Sequence, residues 1–511
     1  MNHKTMKNLS PWSRRKFCQD LLRLITVAGV PLHFRNDVLA QAVGEANAED
    51  ILTAEGFFNI DKTRYFIEVN LRDQWDFGNA FIAPGLANDK NLVRGTGSRE
   101  AALFYDESSL VQGPNNLYLT EHSRELYPHL DHIAVMELSE LTIGEIHGHE
   151  AANAMRSPGR GHDKRGGKLP MYKLENNGLS ERANGHYYSS TPTPASIHNF
   201  IQTTFNNSLE NGIAFKGIGR KHITAYHFAA DLAKAELTRY VNPESLLKKF
   251  REPSPLVAFD DIESAVQILK HVDRKFLNHF GYTGKAAINQ DEQVSNLLKR
   301  VDLPLLDLTL SEEEREFWGN GVPDQVSYSR NLNIWEQYAY AFKLIKADRV
   351  RSIALEFDYV DFHGNRAERE MVTQARQTAI PLARLINKLK EQGLFEHTLI
   401  AIYTTDGSRA PASQSVGNEG KNGFILAGGA VKGGYYGDIR TQGIEDTGHV
   451  YSYHRPDAQG LPVATGVINN ENRVSGASCW RTVAKALGAQ DKFIDRYADV
   501  TDHQSLDFML R

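Results

Sequence analysis

Runs of apolar, β-branched and aromatic residues free of turn clusters mark the buried strands of this chain. The clearest three are Arg64 to Leu71, Val350 to Phe357 and Thr398 to Thr404. Ile133 to Leu138 and Gly423 to Ala427 are shorter, and the latter stops at Gly428 and Gly429. Arg366 to Gln392 has helical periodicity instead, with Ala375, Ile380, Leu382, Leu385, Ile386 and Leu389 on one face and Gly393 as the stop. Pro381 is expected to kink or split that helix. Strand, helix, strand at this spacing predicts βαβ units, a parallel sheet and the α/β class.

Residues 228–345 read as a mostly helical insertion, with Ala229 to Leu237, Ile262 to Phe280 and Trp335 to Lys346 amphipathic and Pro304 and Pro323 interrupting. Residues 158–195, poor in apolar side chains and rich in Gly, Lys, Arg, Asn and Ser, read as a surface loop or lid. No internal repeat stands out.

Composition narrows the function classes. With 511 residues, 41% hydrophobic and 24% charged, the chain is globular in composition. Its two cysteines exclude a disulfide scaffold and a thiolate-built zinc or iron–sulfur site, so any metal falls to oxygen and imidazole ligands. The net charge of −5 is not gathered into a basic stripe, which argues against nucleic acid.

The N-terminus changes the boundaries. Ser13-Arg14-Arg15-Lys16-Phe17-Cys18 precedes a short apolar run, Leu24 to Leu32, and then Ala40-Gln41-Ala42, a small-x-small cleavage pattern. Residues 1–42 read as a twin-arginine signal peptide, with a basic amphipathic helix as the alternative, and residues 43–63 as a connector. The apolar run is too short to span a bilayer, and no membrane span is expected in the mature protein. Cleavage after Ala42 would leave a net charge of −10 and one thiol, Cys479. The expected location is periplasmic or secreted, and the translocase is the expected partner during export.

The chemistry gathers where the strands end, because ligand crevices of open parallel sheets lie beyond their carboxyl ends. After Leu71 come Asp73 and Asp76; after Phe357 come Asp358, Asp361 and His363; after Thr405 comes Asp406. Acids and an imidazole brought together from three strand ends form a hard site for a divalent cation such as zinc, manganese or calcium. Taken singly, each Asp also reads as a turn former or helix cap. His147-Gly148-His149 follows the strand at 133–138 and reads as ligand, substrate contact or capping loop. His162, His222, His227, His449 and His454 are isolated and read as surface or packing residues. Arg409, three residues after Asp406, supplies a fork for a phosphate or sulfate oxyanion. Gly428-Gly429 and Gly433-Gly434 lack the context of a phosphate-binding loop and read as turns. No Gly-x-Ser-x-Gly elbow and no His-Glu-x-x-His helix is present.

From Arg64 onward the chain resembles the DUF1501/DUF1552 group of twin-arginine-exported bacterial proteins, sulfatase-like relatives in the alkaline phosphatase superfamily. Phe66 to Asn79 is similar to that group's opening strand and Leu-Arg-Gly-Gly segment, His129 to Gly159 to its His-containing stretch, and Phe357 to Gly364 to its Phe-Asp-x-His element. Leu394 to Pro411 matches a strand followed by an acid, Gly and Arg; Phe424 to Gly437 matches the Gly-Gly motif; Arg481 to Gly488 matches the terminal helix. The resemblance implies an alkaline-phosphatase-like α/β/α sandwich over residues 64–511. It also implies a metal site drawn from Asp73, Asp76, Asp358, Asp361, His363 and Asp406, with His147 and His149 as site residues. Two departures stand out: Asp73-Gln74 replaces a Gly-Gly pair, and Gly417-Asn418-Glu419-Gly420-Lys421 lacks the family's His. A sulfatase Cys-x-Pro-x-Arg motif is absent, and Ser98, Ser139 and Thr142 remain among the possible nucleophiles.

The expected function is a periplasmic metal-dependent hydrolase of a phosphate or sulfate ester, its substrate a small molecule or a glycan. The alternative is a catalytically degenerate binding or assembly protein on the same fold, serving a glycan, a metal or a protein.

Overall fold

A computed structural model describes residues 65–73, 75, 77–90, 103–140, 213–215, 238–240, 251, 261–267, 305–324, 333–360, 368–404, 422–445, 448–464, 474–488 and 504–511. The signal peptide expected at 1–42, the connector expected at 43–63, the loop expected at 158–195 and the helix expected at 229–237 lie outside them. Strands β1 (Tyr65–Asp73), β2 (Phe81–Ile82), β3 (Val111–Gln112), β4 (Tyr118–Leu119) and β5 (Ile133–Glu140) come first. They are followed by β6 (Ile213–Phe215), β7 (Thr238–Tyr240), β8 (Ser352–Val360), β9 (Thr398–Thr404) and β10 (Asn422–Gly428). The last are β11 (Gly434–Tyr436), β12 (Asp438–Glu445), β13 (Gly448–Pro456), β14 (Pro462–Ala464) and β15 (Val474–Ser475).

The central sheet runs β11-β5-β10-β9-β1-β8-β6-β7, with β15 added beside β5. β1 sits at its centre, parallel to both β8 and β9. The parallel reading has one exception: β10 is antiparallel to β9 and to β5. Because β10 is reversed, β5 again points the same way as β1. The stretch 228–345, expected to be mostly helical, includes an edge strand, β7, parallel to β6, which helical periodicity does not show.

Alternation along the strands sorts side chains onto two faces. Ile67, Val69 and Leu71 join Ile353, Leu355, Ile400 and Ile402 on the first face. Helices α1 (Ile334–Lys346) and α2 (Glu368–Glu391) cover this face, burying Tyr338, Leu344, Leu382, Leu385, Ile386 and Leu389 against it. Phe66, Leu399, Ala401, Phe424 and Leu426 point to the second face, under Cys479, Val483 and Leu487 from helix α3 (Gly476–Ala486) and its end. Both faces are therefore dry, which is why β1 and β9 read as near-continuous apolar runs. The architecture is the expected α/β/α sandwich around a mostly parallel sheet. Among the described residues no helix is long and apolar enough to cross a membrane.

Pro381 does not split its helix: α2 continues from Glu368 to Glu391 as one element of 24 residues. The proline removes one backbone donor, and burial of Ala379, Leu382, Ala383, Leu385 and Ile386 around it outweighs the lost bond. Two small three-stranded sheets, β2-β4-β3 and β12-β13-β14, escape the sequence pattern because their strands are short or mostly polar.

Candidate functional site

The carboxyl ends of β8, β1 and β9 lie side by side. Leu71 is in register with Phe357 on one flank and with Thr404 on the other. Beyond Leu71 the pairing with β8 slips through an irregularity and resumes at Asp73 opposite Val360. Sequence reasoning places Asp73 and Asp358 in loops after the strands. Both are instead strand residues, because the irregularity lets the pairing run on past Phe357. Asp76, Asp361, His363, Asp406, Arg409, His147 and His149 lie outside the described residues. The structure thus brings the backbones of Asp73 and Asp358 to one rim, and it ends β9 two positions before Asp406 in the chain.

β5 delivers its own carboxyl end to the same side of the sheet, since it shares β1's direction across the reversed β10. Ser139 is in register with Asn422, the first residue of β10, and with Val474 of β15. The chain leaves β5 at Glu140, seven positions before His147.

Two aromatic residues anchor the segment that leaves β1. Trp75 and Phe77 have no solvent exposure. The Trp75 indole donates to Thr378 Oγ1 at 2.9 Å, and that hydroxyl donates in turn to the Gln374 carbonyl at 2.8 Å within α2. The Phe77 carbonyl accepts from the N–H groups of Ala80 (2.7 Å) and Phe81 (2.9 Å), closing a turn. Asn79 and Thr120 tie this turn to the neighbouring chain, with Phe104 N donating to Asn79 Oδ1 at 2.6 Å and Thr120 Oγ1 to the Asn79 carbonyl at 2.6 Å. At the start of β10, Gly423 N donates to the buried Thr404 Oγ1 at 2.9 Å, joining β10 to the end of β9.

A buried carboxyl lies below the rim on the second face. Glu68, in the middle of β1 and without exposure, accepts a hydrogen bond from the equally buried Tyr403 hydroxyl. Tyr403 is the penultimate residue of β9, in register with Asn70. Sequence reasoning passed over Glu68, Trp75, Phe77 and Tyr403. The visible signal was a lone acid inside an apolar strand and two aromatics bracketing Asp76.

The glycine pairs belong to the opposite edge. Gly428 closes β10 against the Thr398 carbonyl at the start of β9, and Gly433 is pressed on the Leu130 carbonyl and Asp131. Close backbone approach accounts for both. At that same edge His129 is buried and its pKa is lowered to about 4, by desolvation first and by the Lys390 ammonium second. Among the described residues no group of three His, Cys, Asp or Glu side chains gathers to hold a metal.

The family described as "Protein of unknown function (DUF1501)" matches residues 239–455. No curated protein matches. Among solved structures, the lipoteichoic acid synthase LtaP from Listeria monocytogenes aligns with TM-score 0.30 and 10% identity, covering 91% of this chain and all of that one. Ps i-CgsB aligns with TM-score 0.32 and 9% identity, covering 88% of this chain and 75% of that one. The same protein in complex with k-i-k-neocarrahexaose gives TM-score 0.32 and 9% identity over 87% and 77%.

Proposed function

We propose that this chain is an exported, metal-dependent hydrolase of a phosphate or sulfate ester, working at the carboxyl rim of β1, β8 and β9. The single observation that carries the reading is the register of Leu71 with both Phe357 and Thr404, from which Asp73, Asp358 and Asp406 are at most two positions along the chain. The donor set suits a hard divalent cation: Asp73, Asp76, Asp358, Asp361 and Asp406 offer oxygen, and His363 offers imidazole. Such a cation supplies charge neutralisation and an activated oxygen nucleophile at neutral pH.

The chain's own residues do the rest. Arg409 would grip the non-bridging oxygens of the ester in a bidentate fork, and His147 and His149, reached from the end of β5, would contact the leaving group or the cation. Trp75 is tied to α2 through Thr378 and Phe77 is packed on Gly423 of β10, which fixes the chain on either side of position 76. Export through the twin-arginine route agrees with Arg14-Arg15, with Ala40-Gln41-Ala42, and with Cys479, a buried thiol that needs no oxidation. The stretch 417–421, without its His, favours the second reading, a binding or assembly protein on the same scaffold.

Elemental analysis of the purified chain, together with turnover of an aryl phosphate and an aryl sulfate, decides between the two. Stoichiometric zinc, manganese or calcium, with turnover abolished by Asp358→Ala, supports the hydrolase. A metal-free protein with no turnover overturns it. Fractionation of cells expressing the Arg14→Lys, Arg15→Lys double variant tests the export address, and unchanged export would refute it.

A further inference from the structure

A cleft of about 260 Å³ opens at the outer edge of the sheet, where β11 turns through Gly437 into β12 and faces the loop at 459–462. It lies toward the start of β5, since Tyr435 and Tyr436 are in register with Val135 and Met136 rather than with the rim at Ser139. The volume suits one compact unit rather than an extended ligand.

Its charge is positive. Asp438 is the one carboxylate lining it and is 4% exposed. Its oxygens are taken by Gly85 N at 2.7 Å, Ile439 N at 2.9 Å and Arg440 Nε at 2.7 Å. The remaining guanidinium N–H groups of Arg440 and the exposed Lys432 ammonium are left to face an anion.

One wall is made of carboxamides in a fixed backbone. Asn115 and Asn116 both have positive φ, 46° and 58°, a costly conformation for two successive non-glycine residues. Asn115 Nδ2 holds it by donating to the Gly433 carbonyl at 2.7 Å. Gln459 adds a third carboxamide opposite. The floor is apolar: the Tyr436 ring packs on Phe508 with centroids 5.0 Å apart, and its hydroxyl donates to the Lys432 carbonyl at 3.0 Å. Gly460, at φ 83°, lets the opposite loop close onto that ring. Leu461, 62% exposed, extends the apolar surface outward.

The carboxamides match hydroxyl groups, the exposed apolar edge at Leu461 matches the C–H groups of a compact sugar, and two cations match an acidic substituent. We propose that this cleft binds a single anionic sugar unit, sulfated or carboxylated, independently of any chemistry at the rim.

Calorimetric titration of the full chain at constant ionic strength tests this with glucose 6-sulfate, glucuronate, glucose and inorganic sulfate. The two acidic sugars are expected to bind saturably, glucose about tenfold more weakly, and inorganic sulfate not at all. Lys432→Gln should weaken glucose 6-sulfate about tenfold while leaving glucose unchanged, and Gln459→Trp, at an exposed position, should block both. Inorganic sulfate binding as tightly as the sugar would reduce the site to an anion contact and overturn the proposal. So would binding that survives Gln459→Trp in a protein of unchanged melting temperature, or no binding of either acidic sugar.

Discussion

The ring of Phe77 occupies the space that a side chain at Gly423 would need. A Cβ built at position 423 would overlap Cε2, Cδ2 and Cζ of that ring. Phe77 belongs to the segment leaving β1, and Gly423 is the second residue of β10, so the contact locks the loop beside the candidate acids to a strand two places away in the sheet. Gly423→Ala is expected to destabilise the fold by about 1–3 kcal/mol through overpacking. The double variant Gly423→Ala, Phe77→Leu should recover part of that loss, as read by chemical denaturation.

Trp75 supports the same segment from the side of α2. Trp75→Phe retains most of the buried area and loses the indole donor to Thr378, for an expected cost of about 1 kcal/mol. Trp75→Ala empties a fully buried site and should cost about 3–5 kcal/mol. If the segment positions Asp73 and Asp76, Trp75→Phe will lower the affinity for added manganese or zinc more than it lowers the melting temperature.

The rim acids and a structural acid should separate cleanly. Asp73→Asn and Asp406→Asn are expected to remove bound metal while the fold persists. Asp438→Ala should leave metal content unchanged and destabilise the chain by about 1–3 kcal/mol, because it strips the acceptor from the N–H groups of Gly85 and Ile439. Metal analysis and thermal melting on the three variants check both halves.

His129 makes stability depend on acid. Lys390 Nζ donates to His129 Nδ1 at 3.1 Å, so the ring proton of the neutral imidazole sits on Nε2, which is buried without a partner. His132 and Arg511 add positive charge nearby, and Glu396 and Asp131 partly balance it around Lys390. With a folded pKa near 4 against 6.5 unfolded, the unfolded chain takes up the proton first as pH falls. The contribution is therefore whole above about pH 6.5, shrinks toward pH 4 and is lost below it, a change on the order of 3 kcal/mol. His129→Gln keeps an acceptor for Lys390 and cannot titrate. Urea midpoints across that window should fall less steeply in the variant.

The Glu68–Tyr403 pair tests how the end of β9 is held. Tyr403→Phe takes one hydrogen bond from a carboxyl with no exposure and is expected to cost about 1–3 kcal/mol. A change in metal affinity on the same variant would tie the pair to the rim, since Tyr403 stands three positions before Asp406.

Local pattern carried the parts of this protein that depend on neighbours along the chain. β9 begins and ends at the residues its apolar run marks, and α2 matches its periodic stretch to within two residues at its start and one at its end, because burial on a regular element repeats with the element's own period. The positions of Asp73 and Asp358 near strand ends were legible for the same reason. The direction of β10 was not, since the short run Gly423 to Ala427 reads alike in either orientation and only its partners set its polarity. Nor were the Phe77–Gly423 contact, the Glu68–Tyr403 bond or the cleft beside Asn115, whose members lie hundreds of positions apart. Amino-acid order alone determined the strands, the long helix and an α/β class, because those follow from short-range periodicity. Tertiary structure alone decided which strand ends share a rim and which buried polar groups meet, because those follow from packing two faces of one sheet at once.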